Sequence, residues 1–131
     1  MVSKLPAGVD APMTLIIGPC VIEDEGLINE VADEVKHQLA GLPLEIYFKS
    51  SFDKANRSSI HGFRGPGMED GLKMLERVRA RTGMPVLTDF HTPEQAERVA
   101  RSVDFLQIPA FLCRQTDMIV AGAEAALKHG R

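Results

Sequence analysis

Between Lys49 and Arg64 the chain sets four bases, Lys49, Lys54, Arg57 and Arg64, around a single acid, Asp53, with Ser50, Ser51, Asn56, Ser58 and Ser59 interleaved. Lysine offers a compact positive charge, arginine a planar fork of donors, and serine and asparagine short hydrogen bonds, a combination that suits a phosphate ester. A solvated surface loop has the same composition. The run directly follows an apolar stretch, however, and its bases do not share one helix face. Three other places carry reactive side chains: Gly18-Pro19-Cys20, Asp89-Phe90-His91 and Gln107-Ile108-Pro109. Cys20 can be read as a metal ligand, a nucleophile or a small buried hydrophobe. A metal would need three or four ligands, and His61, His91, Asp89, Glu23 and Asp24 are the candidates near it. Cys113, within Phe111-Leu112-Cys113-Arg114, reads as packing, and His37 and His129 as exposed helix residues.

These groups need a scaffold, and the chain alternates short apolar runs with helical patterns. Thr14 to Ile17 reads as a buried strand stopped by Gly18-Pro19. Leu27, Ile28, Val31, Ala32, Val35 and Leu39 recur at helical spacing, with Gly41 as the expected stop. Leu44 to Phe48 is a second strand, Pro85 to Phe90 a third and Phe105 to Ile108 a fourth. Met68, Leu72, Leu75 and Val78 outline a helix ending near Gly83. Thr92-Pro93-Glu94-Gln95 reads as a capping box opening a short helix to about Arg101. A last helix from about Thr116 to Gly130 carries Ile119, Val120, Ala123 and Leu127 on one side. The acids Glu23-Asp24-Glu25 and Glu69-Asp70 fit the positive ends of helices.

Four β-α units in this order predict an α/β fold with a parallel sheet, residues 13–131 following an irregular lead-in over 1–12. Two closures fit: an open doubly wound sheet, or half of an eight-stranded barrel, which needs ~250 residues when complete. No GxGxxG follows a strand, which weakens the dinucleotide-binding version of the open sheet. In either closure reactive groups collect at the carboxyl ends of strands, where all four groups fall.

The composition narrows the partners. The 131 residues carry 15 bases against 18 acids, a net charge of -3, with 44% hydrophobic and 25% charged residues. A protein coating nucleic acid would show an excess of bases, whereas one basic segment in an acidic chain suits a small anion. No apolar run approaches the ~18 residues of a membrane span. Two cysteines without a CxxC pair form no disulfide framework, and nothing at the start reads as a secretion signal, so a cytoplasmic location is expected and the Asn56-Arg57-Ser58 sequon is discounted.

Three stretches resemble one family: Gly18-Pro19-Cys20-Val21-Ile22-Glu23, the run Phe48 to His61, and Gln107 to Asp117. From about Thr14 onward the chain resembles 3-deoxy-D-manno-octulosonate 8-phosphate synthase, also called 2-dehydro-3-deoxyphosphooctonate aldolase, and matches its N-terminal half. The resemblance implies a (β/α)₈ TIM barrel of lipopolysaccharide biosynthesis, here about four β-α units. It implies condensation of phosphoenolpyruvate with D-arabinose 5-phosphate and water. On these motifs Lys49, Ser51, Lys54 and Gln107 match phosphoenolpyruvate contacts, and Asn56, Arg57 and Ser58 match arabinose 5-phosphate contacts. Lys49, Asn56 and Asp89 are the implied catalytic residues, and Arg114 matches a phosphate-binding arginine that serves the site across a subunit boundary of the family's tetramer. Cys20 resembles the metal-dependent branch and implies a divalent metal ion as cofactor, with an incomplete ligand set here.

Two departures bear on function. The family's Asp-x-His-Glu reads Asp89-Phe90-His91-Thr92, and the segment carrying further metal ligands and a further phosphate-binding arginine has no counterpart in the 131 residues. The isolated chain is therefore expected to be inactive. The alternatives are a non-catalytic half-barrel and 3-deoxy-D-arabino-heptulosonate 7-phosphate synthase, which shares Gly-Pro-Cys and phosphoenolpyruvate but not the run from Lys54 to Ser59.

Overall fold

The computed structural model describes residues 11–131, so most of the expected lead-in over 1–12 lies outside the described residues. The elements run β1 (Met13–Ile17), α1 (Glu25–Gln38), β2 (Leu44–Lys49), α2 (Met68–Thr82), β3 (Val86–Asp89), α3 (Gln95–Ser102), β4 (Phe105–Gln107), a 3-10 turn (Ala110–Leu112) and α4 (Thr116–His129). The strands form one parallel sheet in the order β1-β2-β3-β4. Each strand lies beside the next one in sequence, which is half a (β/α) barrel and not the doubly wound sheet, whose order reverses.

Register decides what each face carries, because side chains alternate with period two. Lys49 pairs with Leu87 and Leu87 with Phe105, while Asp89 pairs with Gln107, so Tyr47, Lys49, Leu87, Asp89, Phe105 and Gln107 share the face away from the helices. The opposite face sends Phe48, Val86 and Phe90 into a core with Ile28, Ala32, Leu72, Leu75, Val78 and Val99. Burying each of these side chains larger than alanine contributes roughly 1.5–3 kcal/mol. On the other face Tyr47 and Phe105 meet edge to face across β3, with centroids 4.9 Å apart, so the sheet curls toward that side.

Several local expectations change. α1 stops at Gln38, where the Leu39 N–H bonds to the Val35 and His37 carbonyls, so Gly41 (φ +80°) shapes the following turn and does not end the helix. Its N-cap is Asp24, whose side chain accepts from the Leu27 N–H at 2.8 Å. The capping box at Thr92 does not form. The chain makes a tight turn there, with Gln95 N–H on the Thr92 carbonyl, and α3 begins only at Gln95. The Gln95 side chain instead accepts from the His91 N–H at 2.8 Å, anchoring the end of β3.

On α4 the apolar side read from the sequence faces outward. Ile119, Val120, Ala123 and Leu127 are exposed, and Met118, Gly122 and Ala125 face inward. The reason is the bulk of Phe90: a Cβ on Gly122 would sit 3.0 Å from its ring. Only small residues let the helix approach. Cys113 is exposed and not packed, since the 3-10 turn carries it outward. His129 is partly buried and bonded to Glu97 of α3 at 2.9 Å, while His37 is exposed as expected.

Candidate functional site

The site begins at the seam between the ends of β1 and β2. Gly18 has φ +154°, and a Cβ there would lie 2.1 Å from the Lys49 carbonyl oxygen, so only glycine lets the strands stay this close. Beyond it the Ser50 hydroxyl donates to the Pro19 carbonyl at 2.9 Å, and the Ile22 N–H bonds to the Ser51 carbonyl at 3.0 Å. This lacing fixes Cys20 and Lys49 on neighbouring walls of one cleft.

The connection from β2 to α2 then folds back on itself. Lys54 N–H bonds to the Arg64 carbonyl at 2.7 Å, and Gly67 N–H to the Phe52 carbonyl at 3.1 Å. Arg64 forms a forked ion pair with Asp53, at 2.8 and 2.5 Å. The one acid of the basic segment therefore neutralises Arg64. Lys49, Lys54 and Arg57 remain as the segment's cations facing the cleft, with no carboxylate bonded to them among the described residues.

Ser51 is fully buried beneath them, and its hydroxyl accepts from both Lys49 Nζ at 3.1 Å and Lys54 Nζ at 2.9 Å. Two ammonium groups on one oxygen repel each other, and an arriving anion relieves that repulsion. Burial lowers the Lys49 pKa; Asp89 offsets part of that, and Lys54 adds to it. Burial alone would raise the Asp89 carboxyl. Hydrogen bonding from His91 and Ser51, with the Lys49 charge, outweighs it and holds the carboxyl at about 2. His91 Nε2 lies 3.1 Å from Asp89 Oδ2, with the imidazole edge-on to Phe52 at 5.8 Å. Asp89 Oδ1 and His91 Nδ1 are buried without a partner of full hydrogen-bond length.

Cys20, Lys49, Lys54, Asn56, Arg57, Asp89 and Gln107 thus line one cleft of about 330 Å³ at the carboxyl ends of the strands, with Ser51 under its floor. A smaller basic recess of about 190 Å³ adjoins it, lined by Lys54, Arg57, Ser59 and Arg64. Ser58 and Arg114 are exposed and do not line the cleft. His91, offered by the sequence only as a metal donor, lines the cleft as the partner of Asp89. Its position two residues after Asp89 is the signal. Pro109, Ala110 and Phe111 complete the wall, brought there by a 3-10 turn that periodicity does not reveal.

Among the described residues no group of three or more His, Cys, Asp or Glu is placed to hold a metal ion. Cys20, exposed on the cleft wall, stands as a single donor, so these residues do not by themselves fit the expected ion. No helix among the described residues is long and apolar enough to cross a membrane.

Comparison with known proteins agrees with the architecture. Over 116 residues the chain is 56% identical to the 2-dehydro-3-deoxyphosphooctonate aldolase of Campylobacter jejuni strain 81-176, covering 88% of this chain and 43% of that protein. Proteins of the same name from Geotalea uraniireducens and Desulfatibacillum aliphaticivorans are 49% and 47% identical over 95% and 94% of this chain, and 46% and 45% of their own lengths. The chain thus spans less than half of the curated relatives it matches. Those names agree with the resemblance read from the motifs and do not favour the heptulosonate alternative. Residues 2–127 match the DAHP synthetase I family, and the chain belongs to that family.

Proposed function

We propose that this chain carries the substrate-gripping half of an enzyme that condenses phosphoenolpyruvate with D-arabinose 5-phosphate and water, releasing 3-deoxy-D-manno-octulosonate 8-phosphate and phosphate. The observation that carries the reading is the convergence of Lys49, Lys54 and Arg57 with Asn56, Gln107 and Asp89 on one cleft. The names of the relatives support the choice of substrates. Two anionic substrates repel each other, and fixed cations remove that barrier while holding the enol against the aldehyde.

In this reading Lys49, Lys54 and Gln107 hold the phosphoenolpyruvate anion, and Asn56 and Arg57 hold the sugar phosphate, whose phosphate reaches toward the basic recess. The enol C3 bonds to the aldehyde carbon, the aldehyde oxygen takes a proton, and water adds at C2 as phosphate leaves. Lys49, partly desolvated beside a carboxylate, is suited to give or hold that proton, and Asp89 keeps it charged until then. Cys20 would supply one thiolate to a divalent ion. Ser58 and Arg114, both exposed, are free to meet a sugar phosphate at the cleft rim or a neighbouring subunit of the tetramer that the resemblance implies.

The test is anion binding by calorimetry, with phosphoenolpyruvate and arabinose 5-phosphate titrated separately into the chain. A charge-assisted hydrogen bond contributes about 1.5–3 kcal/mol, so Lys54→Met and Arg57→Ala should each weaken binding roughly tenfold or more. Lys54→Met should act chiefly on the enol phosphate and Arg57→Ala chiefly on the sugar. The chain alone should release no phosphate from the mixed substrates. Unchanged affinities in both variants would refute the assignment.

A further inference from the structure

Lys49 and Asp89 share the sheet face away from the helices, line one cleft, and each feels the other's charge. Among the described residues they nevertheless form no ion pair with each other. Burial favours the opposite, because an unpaired charge is costly where water is scarce. The Asp89 side chain is only 8% exposed, and its Oδ1 has no partner of full hydrogen-bond length. That oxygen is free to close on the lysine, so something holds the carboxylate back.

Two donors act on it, His91 and Ser51. The Ser51 hydroxyl is itself tied to both Lys49 and Lys54, so His91 is the donor that pulls independently of the lysines. His91 Nε2 lies 3.1 Å from Asp89 Oδ2. An ionised carboxylate can only accept, which places the imidazole hydrogen on Nε2. Nδ1 agrees: it is buried without a partner, and a hydrogen there would be a donor with no acceptor. The ring is also fixed in place. The His91 N–H donates to Gln95 Oε1 at 2.8 Å, and the imidazole stands at 82° to the buried Phe52 ring. With its side chain 8% exposed, His91 meets little competition from water for the carboxylate.

We propose that His91 is a positioning residue for anion capture: by gripping Asp89 Oδ2 it stops Asp89 from pairing with Lys49 and leaves Lys49 Nζ free for a small phosphorylated enol acid. Without that grip the carboxylate turns to the lysine, and an arriving anion must break an internal ion pair. The identity of the anion rests on the substrate reading above; the separation of Lys49 from Asp89 does not.

Calorimetry with phosphoenolpyruvate on the 131-residue chain, together with crystal structures of the unliganded variants, tests the proposal. His91→Phe keeps a ring and loses the donor, and affinity should fall roughly tenfold. His91→Gln returns an amide donor to nearly the same place and should restore most of the affinity, a rescue that simple packing does not predict. In an Asp89→Asn background no carboxylate remains to capture Lys49, so adding His91→Phe should change affinity by less than about twofold. In the crystal, His91→Phe should bring Asp89 within hydrogen-bond reach of Lys49 Nζ. If His91→Phe does not fold, His91→Asn, whose amide is too short to make the same bond, takes its place with the same expectations. Unchanged affinity in the donor-less variant, or an equal loss in the Asp89→Asn background, would overturn the proposal. If the parent chain binds no phosphoenolpyruvate, the substrate reading fails and the crystal structure still decides: an Asp89 that stays off Lys49 without His91 refutes the inference.

Discussion

Asp89→Asn isolates the electrostatic hub of the cleft. The carboxyl sits at about 2 in the folded chain, against an ordinary aspartate value of ~3.9. The gap of about two units corresponds to roughly 2–3 kcal/mol. A depressed folded value means that the unfolded chain takes up the proton first as acid is added. The stabilisation is therefore complete above about pH 4 and is lost as the pH falls through about 2. Asparagine keeps the shape and removes the charge, and it leaves the half-buried Lys49 without its counter-charge. At pH 7 the variant should be less stable by about 2–3 kcal/mol, which lowers the urea midpoint by roughly 1–2 M. The gap should narrow steadily from pH 4 to pH 2. Adding Lys49→Met to the asparagine variant should recover part of the loss, because no lone charge then remains buried. Equal midpoints at pH 7, or a gap that stays constant on acidification, would refute the reasoning.

Gly18→Ala should cost at least about 2 kcal/mol in urea melts, since its Cβ would meet the Lys49 carbonyl oxygen at 2.1 Å on a strained backbone; a neutral result would mean the β1-β2 seam is not tight. Glu97 is held at about 2 by Arg101 first, then His129 and Lys128, so its clamp between α3 and α4 is complete above the ordinary carboxylate range and lost as the pH falls toward 2. Glu97→Gln should therefore reduce hydrogen-exchange protection at the end of α4 at pH 7 and make little difference near pH 2.

The strands and three of the helices are legible in the sequence because their signals are local. Thr14 to Ile17 and Leu44 to Phe48 are bounded by Gly-Pro or by changes of period, and α2 ends at Gly83 in the left-handed region, as its position suggests. The cleft is legible for the same reason, since residues at strand ends converge in any parallel α/β fold: Cys20, Lys49, Asp89 and Gln107 all arrive there. What is not legible depends on contacts distant in sequence. The inward face of α4 is set by Phe90, which lies just past the end of β3 and admits only Gly122 beneath it. The start of α3 is set by Gln95 reaching back to His91 in place of capping its own helix. The pairing of Arg64 with Asp53, eleven residues apart, needs the loop to fold back and is invisible to a count of charges.

A serine hydroxyl has two lone pairs and one hydrogen. At Ser51 both lone pairs are engaged by ammonium groups, so its hydrogen has a single direction left to it, toward the carboxylate of Asp89. The order lysine to serine to aspartate is consequently polarised one way, like a turnstile. Threonine could preserve that sense, whereas alanine would strand both ammoniums and leave the carboxylate facing them with no intermediary.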